Sequence, residues 1–69
     1  MNNKILEQIK FDIQNLEIKK LFKINENGNK IKVRRSTYNE YNIYLNGHQV
    51  NTENNWEDSY KMILALIKS

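Results

Sequence analysis

The first apolar residues of the chain recur at spacings of three and four, which predicts a helix from about Asn3 to Glu17. Five residues form its apolar stripe: Ile5, Leu6, Ile9, Ile13 and Leu16. They fall within about 100° on a helical wheel, the width expected of a helix packed against a core. Phe11 and Ile18 lie on the opposite side. We interpret Ile18 as already past the helix end and Phe11 as partly exposed. The alternative is a second contact stripe, for a partner protein or a homodimer.

After this helix the period changes to two, which predicts strands. Phe22 and Ile24, and then Ile31 and Val33, alternate with lysine and arginine. Between the two runs, Asn27-Gly28 is typical of a two-residue type I′ hairpin turn. If these two residues form the loop, Ile24 pairs with Ile31 and Phe22 pairs with Val33. Apolar residues then share one face, so the register is self-consistent.

A third strand is predicted from Tyr41 to Leu45, after a loop over residues 36–40. Its odd-numbered residues point to the apolar face, and Asn42 and Tyr44 point to the other face. Asn46-Gly47 ends the strand with a second turn of the same type. This turn predicts a short return strand of residues 48–50, in which Val50 would face Ile43.

A second helix is predicted to begin near Asn55. Asn54 is its expected N-cap, and Glu57, three residues on, completes a pair that resembles a capping box. Glu57 and Asp58 in the first turn and Lys68 in the last are favourable to the helix dipole. Its buried stripe and the two residues that widen it are Trp56, Tyr60, Ile63, Leu64, Ile67, Met62 and Leu66.

These elements predict an α+β fold in a single domain over residues 1–69. The order is α-β-β-β-(β)-α, an antiparallel three- to four-stranded meander with the N-terminal and C-terminal helices on one face. A chain of this length buries roughly 60% of the surface that its unfolded form exposes, enough for one modest core. The second face of the sheet must therefore meet water or a partner.

The positive charge is concentrated in the middle of the chain. Residues 19–35 have a balance of +6, whereas residues 1–18 have −1 and residues 36–69 have −2, for a formal net charge of +3. The register of the first hairpin directs four cations to the uncovered face: Lys23, Lys30, Lys32 and Arg34. Asn42, Tyr44 and Gln49 would lie beside them.

Lys23 is expected directly opposite Lys32, and like charges in this position destabilise a sheet by a few tenths of a kcal/mol. Four cations without a counter-charge are understandable if an anionic partner docks there. The alternative is a solvated lysine-rich face that keeps the protein in solution and blocks edge aggregation.

The sequence provides no constellation of catalytic residues, so we expect a binding protein and not an enzyme. The chain has no cysteine, and its one histidine, His48, has no second histidine to complete a metal site or a catalytic pair. Glu53 and Glu57 are better explained as charges near a helix N-terminus. No cofactor, metal or membrane span is expected, and the charged start of the chain is unlike a signal peptide. We therefore expect a cytoplasmic protein.

In its order of elements the chain resembles double-stranded-RNA-binding domains. That family's last helix begins with lysines, whereas Glu57-Asp58 stand at about this place here, which puts the corresponding contacts in doubt. The segment from Lys20 to Ser69 also resembles the arm-binding domains of mobile-element integrases, through Tyr41–Gly47 followed by a helix that begins with an aromatic residue. Both resemblances imply binding of nucleic acid.

The chain is also similar in outline to small anti-CRISPR proteins, through a short first helix, an antiparallel sheet with Asn-Gly turns and a closing helix. Asparagine, lysine and isoleucine make up 30 of the 69 residues, which indicates an AT-rich bacterial, phage or mobile-element genome. Two hypotheses follow. In the first, the basic face binds nucleic acid or a nucleoprotein complex. In the second, the protein inhibits a host nucleic-acid enzyme by direct contact, with Phe11 and Ile18 as its apolar anchor.

Overall fold

The structure is a computed structural model that describes residues 3–68; Met1, Asn2 and Ser69, included above in the single domain, lie outside the described residues. Helix α1 precedes a four-stranded antiparallel sheet of strand order β1-β2-β3-β4, and helix α2 follows it. The bounds are α1 Asn3–Gln14, β1 Leu21–Glu26, β2 Asn29–Thr37, β3 Glu40–Leu45, β4 His48–Glu53 and α2 Trp56–Lys68. The predicted α+β class and the order of elements are confirmed, with the fourth strand present.

The first hairpin forms at the predicted turn and in the predicted register. Phe22 pairs with Val33 and Ile24 pairs with Ile31. Asn27 has a φ of 52° and Gly28 a φ of 79°, as a type I′ turn requires. The turn therefore sets the register that keeps the apolar side chains on one face.

The second hairpin differs from the prediction after its turn. Strand β4 continues to Glu53, and a β-bulge shifts its register between Gln49 and Asn51. Ile43 therefore pairs with Asn51, and the predicted pairing of Ile43 with Val50 is wrong. A bulge adds one residue to one strand only, so it displaces every later pairing by one position. Val50 is the extra residue, and it is 46% exposed.

The predicted loop over residues 36–40 is mostly strand. Strand β2 continues through Thr37 and β3 begins at Glu40, so Tyr38 and Asn39 alone connect them. A second irregularity at Ser36 interrupts the pairing of these strands, because Arg35 pairs with Tyr41 and Thr37 pairs with Glu40. This bulge explains why the alternation of apolar and polar residues does not predict that β2 continues to Thr37.

The core lies between one face of the sheet and both helices, as predicted. Its buried side chains come from α1 and the turn after it, from the first three strands and from α2: Ile9, Ile13, Leu16, Phe22, Ile31, Val33, Tyr41, Ile43, Ile63 and Ile67. Ser59, also buried, donates its hydroxyl to the carbonyl of Asn55 and so needs no partner in the core. Neither helix in the described part of the chain is long and apolar enough to cross a membrane.

Helix α1 is shorter than predicted, because it ends at Gln14 and not at Glu17. The chain then turns through Lys19, whose φ is 67°, and enters the sheet. The N–H of Lys19 donates to the carbonyl of Arg35, and the N–H of Arg35 donates to the carbonyl of Lys20. Leu16 remains buried beyond the helix end, so the periodicity of the apolar residues extends further than the helix itself.

Two asparagines of the first hairpin also cap the C-terminal end of α2. Asn27 donates its side-chain N–H to the carbonyl of Ile67 at 2.9 Å, and Asn29 donates to the carbonyl of Leu66 at 3.2 Å. The last carbonyls of a helix have no partner within the helix. These two asparagines supply partners from a turn about 40 residues away in sequence, which fixes the hairpin against α2.

The N-cap of α2 is Asn55, and the prediction of Asn54 is wrong by one residue. The side-chain Oδ1 of Asn55 accepts the backbone N–H of Asp58 at 2.8 Å. Its Nδ2 donates to Oδ2 of the same aspartate at 3.1 Å. The reciprocal partner three residues on is therefore Asp58 in place of Glu57.

Replacing Asn55 by alanine is expected to lower the free energy of unfolding by about 1 kcal/mol, the usual cost of losing an N-cap. Asn54→Ala is the matched control, since it removes the same side chain one residue earlier. We expect its unfolding free energy to stay within about 0.5 kcal/mol of wild type. Urea unfolding curves of the two variants measure both values. A larger loss for Asn54→Ala would contradict this assignment of the cap.

Candidate nucleic-acid interface

The face of the sheet opposite the helices, called the outer face here, has side chains aligned in three rows across the strands. The first row is Leu21, Arg34, Asn42 and Thr52. The second is Lys23, Lys32, Tyr44 and Gln49. The third is the pair Asn25 and Lys30. Alternation along β3 also places Glu40 on this face, opposite Thr37 and beyond the first row. Alternation along the strands, combined with the register of the two hairpins, brings the six predicted nucleic-acid contacts onto this one face.

All four predicted cations of the outer face are exposed: Lys23, Lys30, Lys32 and Arg34. Lys23 is directly opposite Lys32, as expected from the turn. None of the ten positions in the three rows, which all lie within described strands, is Asp or Glu. Glu26 and Glu53 occupy positions that alternate to the helix-covered face. Glu40, beyond the first row, is the one acidic residue of the described strands on the outer face, so the four cations outnumber the acidic residues there.

A groove of about 450 Å³ opens at one end of the outer face. Three of the lysines line it, together with the second turn: Lys23, Lys30, Lys32, Asn46 and Gly47. Asn46 holds the turn in place, because its N–H donates to the carbonyl of Lys30 and its Oδ1 accepts the N–H of Lys30, both at 2.8 Å. Ile24 and Ile31 also line the groove, which thus combines cationic and apolar side chains with the backbone of the turn.

Asn42 lies on the outer face as predicted, but other side chains of the sheet already occupy its amide. Its Nδ2 donates to the Ser36 hydroxyl at 2.6 Å. Its Oδ1 accepts from Gln49 at 3.2 Å and from Thr52 at 3.0 Å. Gln49 also donates to the Thr52 hydroxyl at 2.9 Å. Asn42 is therefore the centre of a polar network that orders β3 against β4.

Tyr44 lies at the middle of its row, directly between Lys32 and Gln49. Its side chain is half-buried, whereas the lysines of the same row are exposed. An aromatic ring in this position offers an apolar surface next to a row of cations. Base stacking needs such a surface and is tolerant of base identity.

Arg35, although it belongs to the basic segment, turns to the helix side of the sheet. Its guanidinium donates to the carbonyls of Leu16 at 2.7 Å and Tyr38 at 2.8 Å. The same group lies 5.1 Å from the centroid of the Tyr41 ring, a cation–π distance. This arginine joins the end of α1 to the sheet and is absent from the outer face. Alternation from Arg34 is the sequence signal for this placement.

Three residues in the rows of the outer face were missing from the sequence-based site, and one of them, Asn25, lies beside Lys30. Leu21, at the start of β1, is 48% exposed and lies opposite Arg34. Thr52, in the part of β4 beyond the bulge, lies opposite Asn42. The same alternation indicates Leu21, but Thr52 depends on a bulge that the sequence pattern does not reveal.

The two candidate protein contacts lie away from the outer face. Phe11 projects from α1 and is 61% exposed, and Ile18 lies in the turn after α1 and is 46% exposed. Because the helix ends at Gln14, the two residues do not share one helical face. A continuous apolar stripe on α1 is thereby excluded, and their role as contacts stays a prediction.

Candidate catalytic chemistry is sparse in the described part of the chain. His48 is exposed at the start of β4. Across residues 3–68, no group of three or more His, Asp or Glu side chains is arranged to hold a metal ion. Comparison of the chain with protein-family models, with curated proteins and with solved structures finds no match in any of the three. The geometry of the outer face is therefore the basis for a functional proposal.

Proposed function

We propose that this protein is a small, non-catalytic, cytoplasmic module that binds nucleic acid, alone or within a nucleoprotein complex, through the outer face of its sheet. One observation carries the proposal. Four exposed cations lie on adjacent strands of one open face, and Glu40, beyond their rows, is the one acidic residue of the described strands on that face. A polyanion with regularly spaced charges matches this arrangement, because each lysine or arginine that neutralises a phosphate releases a condensed counterion.

The energetics of the hairpin favour a role in binding over mere solvation. Lys23 and Lys32 repel each other across the first hairpin, at a cost of a few tenths of a kcal/mol. A surface that serves solubility alone works best when both signs of charge are interspersed. Of the acidic residues in the described strands, Glu40 alone lies on the outer face, and it lies beyond the three rows and not among the cations. An anionic ligand removes this repulsion when it docks.

The salt dependence of binding to an oligonucleotide tests this function. We expect a fluorescently labelled mixed-sequence oligonucleotide of about 12 nucleotides to bind, with an affinity that falls as salt rises. Each phosphate contact contributes roughly −0.7 to −0.9 to the log–log slope, so three or four contacts predict a slope of about −2 to −4. Fluorescence anisotropy between about 50 and 200 mM salt measures it.

Lys32→Glu with Arg34→Glu removes two exposed cations of the outer face and should abolish this binding. The control makes the same change of charge elsewhere, Lys4→Glu with Lys10→Glu, since both lysines are exposed on α1. This variant is expected to keep a slope close to that of wild type. No detectable binding by the wild-type protein, or a slope close to zero, would contradict the proposal. So would an α1 variant that loses as much affinity as the outer-face variant, because it would show that net charge acts without the outer face.

The exposure of Phe11 favours a second candidate function. A phenylalanine 61% exposed on a helix is a suitable apolar anchor for a protein partner. In this case the protein would be a phage or mobile-element inhibitor that covers a host nucleic-acid enzyme. Binding would then depend weakly on salt, and Phe11→Ala would weaken it more than reversal of the outer-face charges. If Phe11→Ala leaves oligonucleotide binding unchanged and the affinity falls steeply with salt, the result supports the first function.

A further inference from the structure

The outer face is divided into a cationic half and a neutral half. The cationic half, on β1 and β2, contains Lys23, Lys30, Lys32 and Arg34. The neutral half, on β3 and β4, contains Asn42, Tyr44, Gln49 and Thr52, and Glu40 lies just beyond it at the start of β3. The boundary runs between β2 and β3, where Lys32 is directly opposite Tyr44 and Arg34 is directly opposite Asn42. A ligand that covers the whole face must therefore be anionic along one side and uncharged along the other.

The cations of β2 have the periodicity of an extended polyanion. Lys30, Lys32 and Arg34 are alternate residues of one strand, so they are spaced by about 6.8 Å. This is comparable to the separation of successive phosphates in an extended single strand of nucleic acid. The line of cations along β2 ends at the groove that Lys23, Lys30 and Lys32 line, and this groove leaves room for a further phosphate.

The neutral half is ordered before any ligand arrives. Asn42, Gln49 and Thr52 are joined by three hydrogen bonds of 2.9–3.2 Å. Tyr44 stands within this ordered surface, beside Gln49. Little side-chain entropy remains to be lost when a flat, uncharged group packs there. A nucleobase is such a group, and it is the part of a nucleotide that lies away from the phosphate.

A duplex does not fit this division of charge. The grooves of B-form DNA separate its two backbones by about 6 or 12 Å, and four strands at about 4.8 Å spacing span roughly 14 Å. A duplex laid on the sheet would place its second backbone over the neutral half, where the rows contain no cation. A single strand has one backbone and exposed bases, so it satisfies both halves.

From this division we infer that the ligand of the outer face is single-stranded nucleic acid, with its phosphates along β2 and one base stacked on Tyr44. The inference rests on the proposed function and specifies its ligand class. Lys30, Lys32 and Arg34 contact phosphates, Tyr44 stacks, and Asn42 positions the stacking surface through its hydrogen bonds to Gln49 and Thr52. Ribose and deoxyribose strands share this chemistry, and the experiment separates them.

Four probes of about 12 nucleotides test the inference by fluorescence anisotropy: oligo-dT, oligo-U, a DNA duplex and an RNA duplex. We expect at least one of the single strands to bind about tenfold or more tightly than its duplex counterpart. We expect Tyr44→Ala to weaken that binding by about 5- to 150-fold, the range of one lost base stack. The log–log salt slope should remain unchanged, because no phosphate contact is lost.

Companion variants separate stacking from a purely structural effect. Tyr44→Phe keeps an aromatic ring and should bind nearly as wild type, whereas Tyr44→Val keeps a good strand former and should bind as weakly as Tyr44→Ala. Phe11→Ala removes an exposed aromatic ring from α1 and should have no effect. Residual duplex binding should be the same in every variant.

The outcomes that overturn the inference differ from those that overturn the proposed function. Duplexes bound as tightly as single strands, or a Tyr44→Val variant that binds like wild type, would contradict the single-stranded ligand and leave nucleic-acid binding in place. No binding of any of the four probes would contradict both. Preference for oligo-U over oligo-dT, or the reverse, would identify the sugar that the site accepts.

Discussion

Replacing Lys32 and Arg34 together by glutamate is expected to bring oligonucleotide binding below detection while the protein remains folded. Both side chains are exposed on β2, next to the boundary between the two halves of the outer face. Hydrogen bonds to charged groups contribute about 1.5–3 kcal/mol each, so the loss of two predicts an affinity at least about 100-fold weaker. Two carboxylates facing the remaining phosphates weaken it further.

The double variant is expected to be at least as stable as wild type, although it loses binding. The new carboxylate at position 32 would lie directly opposite Lys23, where an opposite charge replaces a like charge. Cross-strand pairs of opposite charge stabilise a sheet by about 0.2–1 kcal/mol. We therefore expect an unfolding free energy equal to that of wild type or slightly higher, measured by urea unfolding followed by circular dichroism.

The matched control is again Lys4→Glu with Lys10→Glu, which changes the formal net charge equally, from +3 to −1. It should bind within a few-fold of wild type, because long-range attraction between exposed charges is largely screened at about 0.15 M salt. A folded Lys32→Glu, Arg34→Glu protein that still binds would contradict the role of the outer face. An unfolded one would contradict the placement of these side chains outside the core.

The largest expected loss of stability comes from Ile63→Ala. Ile63 is 0% exposed and lies in the middle of α2, where it belongs to the core cluster between the helices and the sheet. Truncation of a buried isoleucine costs about 2–5 kcal/mol, because it loses the transfer free energy and leaves a cavity. A domain of this length has a total stability of about 3–10 kcal/mol. The variant is therefore expected to lose a large fraction of its stability.

Thermal unfolding followed by circular dichroism measures this effect. For a domain of this size each kcal/mol shifts Tm by about 4–8 °C, so we expect Tm to fall by roughly 8–40 °C. Ile18→Ala is the matched control, since it removes the same atoms from a side chain that is 46% exposed. It should cost less than about 1 kcal/mol. Similar losses for the two variants would contradict the assignment of the core.

The first hairpin shows how far local rules determine this fold. Asn27-Gly28 specifies a two-residue turn with positive φ at both positions, and the turn alone determines which residues of β1 and β2 are paired. Alternation then separates the apolar residues from the lysines. For these strands the pairing, the buried face and the exposed cations were all predicted correctly, because each depends on neighbours within a dozen residues.

The second hairpin shows where such rules stop. Asn46-Gly47 specified the turn, but the bulge at Val50 displaced the later pairings, so Thr52 joined the outer face and Ile43 paired with Asn51. A bulge depends on how the edge strand bends over the rest of the sheet, and no local pattern of apolar residues records it. The hydrogen-bond network around Asn42 depends on the same register. Because of this network, the Asn42 amide binds other side chains of the sheet and is not available to contact a ligand directly.

The sequence by itself was enough to predict the order of the elements, the two Asn-Gly turns and the cationic side of β1 and β2. This is because turn geometry and alternation act between near neighbours in the chain. Contacts between distant segments depended on the packed structure. They include Arg35 with the end of α1, Asn27 and Asn29 with the end of α2, and the division of the outer face into charged and neutral halves. The contacts of Arg35, Asn27 and Asn29 satisfy backbone carbonyls at the helix ends, which come near these side chains only when the helices pack on the sheet. The division of the outer face depends in addition on the register of four paired strands.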